Sequence, residues 1–179
     1  MKRVLVISSS FREFSNSDGL AQEFIQGARE NNNTVEYISL AGQEIKFCTG
    51  CFTCQSTEEC VFEDDASRIV KRMATADVLV FATPIYYFEM SGQMKTLLDR
   101  TLPIYEKNYK FKEIYLLSTA IEEGDEVFNA TKEGLLGWIK CFEGAELKGT
   151  IFAGGLNEAG EINSHPARKE AYEMGRSIS

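Results

Sequence analysis

The sequence predicts a doubly wound α/β fold, and three observations carry that expectation. Short continuous apolar runs recur along the chain, stretches with apolar residues at helical spacing separate them, and no low-complexity linker interrupts the alternation. Val4-Leu5-Val6-Ile7 is the first run and stops at Ser8-Ser9-Ser10, as expected of a strand buried on both faces. Leu20, Phe24, Ile25 and Ala28 follow at near 3.6-residue spacing, and Asn31-Asn32-Asn33 breaks that helix. Thr34 to Leu40 is the second extended run. A helix carrying Ile69, Val70 and Met73 leads into the third, Val78 to Ala82, which is expected to end at Pro84. Met94, Leu97 and Leu98 mark the next helix, Ile114 to Leu117 the fourth strand, and Phe128, Leu135, Trp138, Ile139 and Phe142 a longer helix. Thr150 to Ala153 is the fifth strand. The last helix is expected to open at Ser164-His165-Pro166, where a first-turn proline is tolerated, and to bury Ala167, Ala171, Met174 and Ile178. Five strands alternating with five helices require a mostly parallel sheet with helices on both faces, because each parallel crossover needs a helix to span it.

Length and composition narrow the function. A chain of 179 residues is expected to form one domain over residues 1–179. Hydrophobic residues make up 44% and charged residues 26%, with three prolines, a composition that excludes disorder as the main theme. The formal charge of -8 repels polyanions, so nucleic acid is not an expected partner. The Val4 to Ile7 run is far shorter than a signal-peptide core and no stretch reaches membrane-spanning length, so the protein is expected in the cytoplasm with no membrane partner. There the five cysteines are expected to be reduced, and clustered thiols read first as metal or redox ligands.

In doubly wound sheets ligands bind beyond the carboxyl ends of the strands, where strand order reverses. Three segments therefore matter most: Ser8 to Ser17, Thr83 to Gly92 and Ser118 to Gly124. The first gathers hydroxyls, an amide side chain and Arg12 ahead of a helix, so a phosphate would meet free amide N–H groups and the positive end of a helix dipole. Ser15 to Asp18 suit a plain helix cap equally well. Neither G-x-x-x-x-G-K-[ST] nor G-x-G-x-x-G follows the first strand, which favours a mononucleotide held by hydroxyls. The second segment places Pro84, Ile85, Tyr86, Tyr87 and Phe88 where a flat heteroaromatic ring could stack, with Ile85 and Phe88 also fitting a core or a dimer interface. The third contributes Thr119 and Ala120 by position alone.

Ser9-Ser10-Phe11-Arg12-Glu13-Phe14-Ser15-Asn16-Ser17 and Ala76-Asp77-Val78-Leu79-Val80-Phe81-Ala82-Thr83-Pro84-Ile85-Tyr86-Tyr87, continued by Met90 to Lys95 and Asp99-Arg100, together resemble two segments of the NADPH-dependent FMN reductase family. The family's opening motif carries glycine where this chain has Ser9 and proline where it has Phe11. The resemblance implies a flavodoxin-like sheet of order 2-1-3-4-5, with the FMN phosphate on Ser10, Arg12, Ser15, Asn16 and Ser17. It also implies that the flavin ring sits against the Pro84 to Phe88 segment. It further implies a homodimer with flavin near the subunit interface, NADH or NADPH as co-substrate, and a small-molecule or protein electron acceptor. FMN brings its own redox chemistry, so no nucleophile is required, and His165, the one histidine, is assigned no role.

Cys48-x2-Cys51-x2-Cys54-x5-Cys60 puts four thiols within thirteen residues, and the first three share the compact spacing of four-iron cluster proteins. The pattern also resembles that of iron-sulfur flavoproteins, as does Asp64-Asp65 shortly after it. Zinc, reduced thiols or a disulfide stay open as alternatives. Cys141 is expected to lie in a helix as a small buried hydrophobe. Two functions follow: an FMN-dependent NAD(P)H oxidoreductase reducing a quinone, nitro compound, metal ion or flavin, or an electron carrier with a 4Fe-4S cluster on the four thiols. A regulatory domain of the same fold without flavin is the third.

Overall fold

The computed structural model describes residues 1–107 and 109–179. Its strands alternate buried side chains to two faces. Val4 and Val6 of β1 (Arg3–Ser8) point one way and Leu5 and Ile7 the other, as do Val78 and Val80 against Leu79 and Phe81 of β3 (Val78–Tyr86). Both faces therefore need cover. On one face, α1 (Asn16–Glu30) and α6 (Ala167–Arg176) bury Leu20, Phe24 and Ala171 with Tyr115 and Ile151. On the other, α3 (Asp65–Thr75), α4 (Gly92–Asp99) and α5 (Asp125–Ile139) bury Ile69, Leu97 and Leu135 with Leu116.

The parallel strands run in the order β2 (Thr34–Ser39), β1, β3, β5 (Glu113–Thr119), β6 (Glu146–Ala153), which is the expected 2-1-3-4-5 counted along the chain. A sixth strand, β4 (Glu89–Met90), is an addition. β3 does not stop at Pro84: it keeps pairing with β5 as far as Pro84 opposite Thr119, then folds back on β4. Tyr86 faces Glu89 across a two-residue turn whose residues, Tyr87 and Phe88, both have positive φ, 51° and 67°. That is the backbone requirement of a tight hairpin turn, here met by two aromatic residues for which it is strained.

Two further departures have packing causes. α5 ends at Ile139, and the next turn sends Phe142 inward against Phe111 and Trp138, at ring separations of 5.1 and 4.5 Å. Cys141 is thereby left exposed in a turn, not buried in a helix as expected. α6 starts at Ala167 with Pro166 as its cap, after a 3-10 turn at Glu161–Ser164. No helix among the described residues is long and apolar enough to cross a membrane.

α1 and α6 cross in backbone contact. A Cβ on Gly27 would lie 2.0 Å from the Tyr172 carbonyl oxygen, and one on Gly175 would lie 2.1 Å from that of Phe24. Gly137, inside α5, has open space where a Cβ would go. Gly27→Ala should therefore lower stability by at least the ~1–3 kcal/mol typical of overpacking, while Gly137→Ala should raise it by about 0.5–1 kcal/mol through helix propensity. Urea midpoints of the two variants check the opposite signs.

Candidate functional site

β1 and β3 are neighbours, yet the chain leaves β1 toward β2 at one edge and leaves β3 toward β5 at the other, so a crevice opens between their carboxyl ends. A cleft of about 120 Å³ lies there. Ten of the twelve residues expected to bind a cofactor line it: Ser10, Arg12, Ser15, Asn16, Ser17, Pro84, Ile85, Tyr86, Thr119 and Ala120. Tyr87 and Phe88 do not; they form the exposed tip of the β3–β4 hairpin. Ile121, Leu156 and Asn157 complete the lining. The last two come from the loop after β6, which the sequence marks only by Gly154-Gly155.

The expected phosphate residues divide into those that build the cleft and those free to face a ligand. Ser15 caps α1 by accepting from the Asp18 N–H at 3.1 Å. Asn16 donates to the Glu158 carbonyl at 2.8 Å and accepts from the Ile162 N–H at 3.1 Å, so its amide ties the loop after β6 to α1. Ser17 and Thr119 share a buried hydroxyl contact of 2.8 Å that joins α1 to β5. Arg12 is half exposed; its guanidinium donates to the Asn157 carbonyl at 2.7 Å and pairs with Glu158 at 3.3 Å. An exposed pair of that kind is worth under about 1 kcal/mol, so Arg12 can turn to an anion at little cost. The first turn of α1 adds backbone N–H groups and the positive end of its dipole. Asp18, the acid in that turn, is engaged by the Tyr37 hydroxyl, and burial together with Asp18 pushes the Tyr37 pKa up to about 12, so the phenol stays a donor. His165 lies at the start of α6, accepting from the Ala167 N–H at 3.2 Å, and does not line the cleft.

The model of the NADPH-dependent FMN reductase family matches residues 2–143. The chain belongs to that family. An iron-sulfur flavoprotein of Archaeoglobus fulgidus is 32% identical over 103 residues, covering 58% of this chain and 46% of that protein. The chain thus spans about half the length of that relative. An iron-sulfur flavoprotein of Methanosarcina thermophila is 25% identical over 175 residues, 96% of this chain and 87% of the relative. Among solved structures, an NAD(P)H:quinone oxidoreductase from Methanothermobacter marburgensis superposes with a TM-score of 0.77 over 99% of both chains at 17% identity, a likeness of fold.

The four closely spaced cysteines lie within residues 46–64. Cys48 and Cys51 are exposed, Cys54 is buried on the short helix α2 (Thr53–Thr57), and Cys60 is half-buried. Burial pushes the Cys54 thiol up, and the nearby Cys60, Cys51 and Cys48 push it further. Hydrogen bonds from the Thr53 N–H and side chain hold the Cys51 thiol below its ordinary range. Among the described residues no three metal-ligand side chains converge on a single-ion site.

Arg100 closes this loop at its base. It is 2% exposed, and its guanidinium donates to the Lys46 carbonyl at 2.7 Å, to both Asp64 oxygens at 2.6 and 2.9 Å, and to Cys60 Sγ at 3.3 Å. Lys46 N–H also donates to Asp64 at 2.9 Å. Residues on both sides of the four thiols are thus pinned to the C-terminal end of α4. Burial works against the Asp64 charge, but the hydrogen bond and charge of Arg100 and the Lys46 N–H outweigh it, so the carboxyl lies below its ordinary range.

A carboxyl with a depressed folded-state pKa contributes stability that is complete above its unfolded value near ~4 and is lost as pH falls through the folded value. Acidification should therefore cost the wild type more stability than Asp64→Asn. Arg100→Met, which leaves the buried carboxylate unpaired, should cost about 3–5 kcal/mol at neutral pH. Urea unfolding from pH 7 to pH 3 measures both; parallel pH curves for wild type and Asp64→Asn would contradict the assignment.

Proposed function

We propose that the chain is an FMN-dependent NAD(P)H oxidoreductase that reduces a small acceptor such as a quinone, nitro compound, metal ion or free flavin. The observation that carries this reading is the convergence of phosphate-type donors and the Pro84–Tyr86 segment on one cleft at the strand-order reversal. Bound FMN would supply the redox chemistry, taking a hydride from a nicotinamide and passing electrons to the acceptor. The chain's own part is to bind and orient. Ser10, Arg12 and the first turn of α1 receive the phosphate, and Asn16, Ser15 and Ser17 hold the loops that present those donors. Pro84, Ile85 and Tyr86 meet the ring, with Ile85 backed by Ala120 and Val127. The exposed aromatics Phe11, Phe14, Phe47, Tyr87 and Phe88 suit coverage by a second copy of the chain, in keeping with a homodimer.

A second reading starts from the spacing of the four thiols, Cys48-x2-Cys51-x2-Cys54-x5-Cys60. Cys48, Cys51, Cys54 and Cys60 match a four-iron cluster in kind and number of donors, and such a cluster would add one-electron transfer. Arg100 and Asp64 would hold the segment that carries it.

The anaerobically purified chain should bind FMN and oxidise NADH or NADPH in the presence of a quinone. About four irons per chain alongside flavin would promote the electron carrier. Arg12→Ala combined with Asn16→Ala should weaken FMN binding by about 2–3 kcal/mol, from lost charge-assisted contacts and a loosened loop. Fluorescence titration reads this directly, and an unchanged affinity would remove the phosphate from this loop.

A further inference from the structure

Between the two cofactor loops runs a buried chain of hydroxyls that none of the expected contacts includes. Ser9, where the family motif has glycine, is 1% exposed; its N–H donates to the Ala82 carbonyl at 2.9 Å and its hydroxyl to the same oxygen at 3.4 Å. Ser91, fully buried, donates its hydroxyl to Ser9 Oγ at 2.8 Å and accepts the Met94 N–H at 3.3 Å. Its own N–H donates to Thr83 Oγ1 at 3.1 Å, and Thr83 donates to the Pro84 carbonyl at 2.9 Å.

The proton directions are set throughout. A backbone N–H of α4 can only donate, so Ser91 Oγ must turn its proton to Ser9, and Ser9 must turn its own to a carbonyl that can only accept. The relay therefore has a single satisfied arrangement. It runs from the residue just after β1, beside Ser10, to the residue that caps α4 and ends the Thr83–Ser91 segment. Each end belongs to a different cofactor loop.

We propose that Ser9 and Ser91 are positioning residues that set the separation between the phosphate loop and the ring loop, and with it FMN affinity and the environment of the ring. The proposal rests on the FMN reading above. Glycine at position 9 has no hydroxyl to give, so this coupling belongs to this chain and not to the family motif. Loss of either hydroxyl leaves the other without its partner and frees the two loops to shift by fractions of an ångström, enough to degrade a two-ended site.

The test is a double-mutant cycle of Ser9→Ala and Ser91→Ala. It is read by FMN fluorescence titration, by the visible absorption and circular dichroism of bound flavin, and by thermal unfolding of the apoprotein. Each single variant should raise the FMN Kd about three- to tenfold and alter the bound-flavin spectra, and the double variant should do no worse than the weaker single. Folded variants with wild-type Kd and spectra, or effects that multiply in the double, would overturn the relay. Ser91→Ala also uncaps α4; if it does not fold, Ser9→Ala and Ser9→Gly leave that cap intact and decide the matter by the same readouts. A wild-type chain that binds no FMN overturns the functional reading and the relay with it, whereas binding unaffected by the substitutions overturns the relay alone.

Discussion

The parallel pairing of β1 with β3 is the constraint on which the rest of the structure depends, because the connections from these two strands leave in opposite directions. Parallel strands buried on both faces need helices above and below, and apolar residues alternating along Val4 to Ile7 and Val78 to Ala82 supply that burial to each layer. The crossovers then diverge, and the crevice at the carboxyl ends is the one place where loops from β1, β3 and β5 can meet without a helix over them. Apolar burial thus dictates where polar chemistry can stand.

The polar groups left in that crevice are organised in two ranks. Asn16, Ser17 and Thr119 spend their hydrogen bonds on one another's elements and the loop after β6 while Ser15 caps α1, which fixes the walls. Arg12 and Ser10 face the opening with weaker engagements that a ligand can replace. On the other side of α4 the buried Arg100–Asp64 pair plays a comparable part for the cysteine segment, tying both its ends to the helix that begins at Ser91. One helix thereby connects the Thr83–Ser91 segment at its N-terminus to the thiol-bearing loop at its C-terminus.

The layers are legible because the central strands are continuous apolar runs and the helices keep their period, whereas the strand order comes from the family resemblance. The three segments of the cleft are legible because strand ends are easy to find and loops at one edge must converge, and the family resemblance picks out individual residues within them. What escaped depended on contacts between distant residues. Tyr87-Phe88 lacks the Asn-Gly signature of a tight hairpin, so the strand seemed to end at Pro84, although β5 still pairs there. Asn157 and Glu158 entered the site through Asn16 and Arg12, about 145 residues away in sequence. The apolar neighbours of Cys141 predict an inside position, whereas the turn after Ile139 gives the interior to Phe142.

In the proposed reading, one cleft between the carboxyl ends of β1, β3 and β5 receives FMN. A crystal structure of the chain grown with FMN tests it most directly. The phosphate should lie against Ser10, Arg12 and the first turn of α1, with the flavin ring beside Pro84 to Tyr86. Flavin bound elsewhere on the chain, or this cleft closed by its own side chains while FMN is held at another surface, would contradict it.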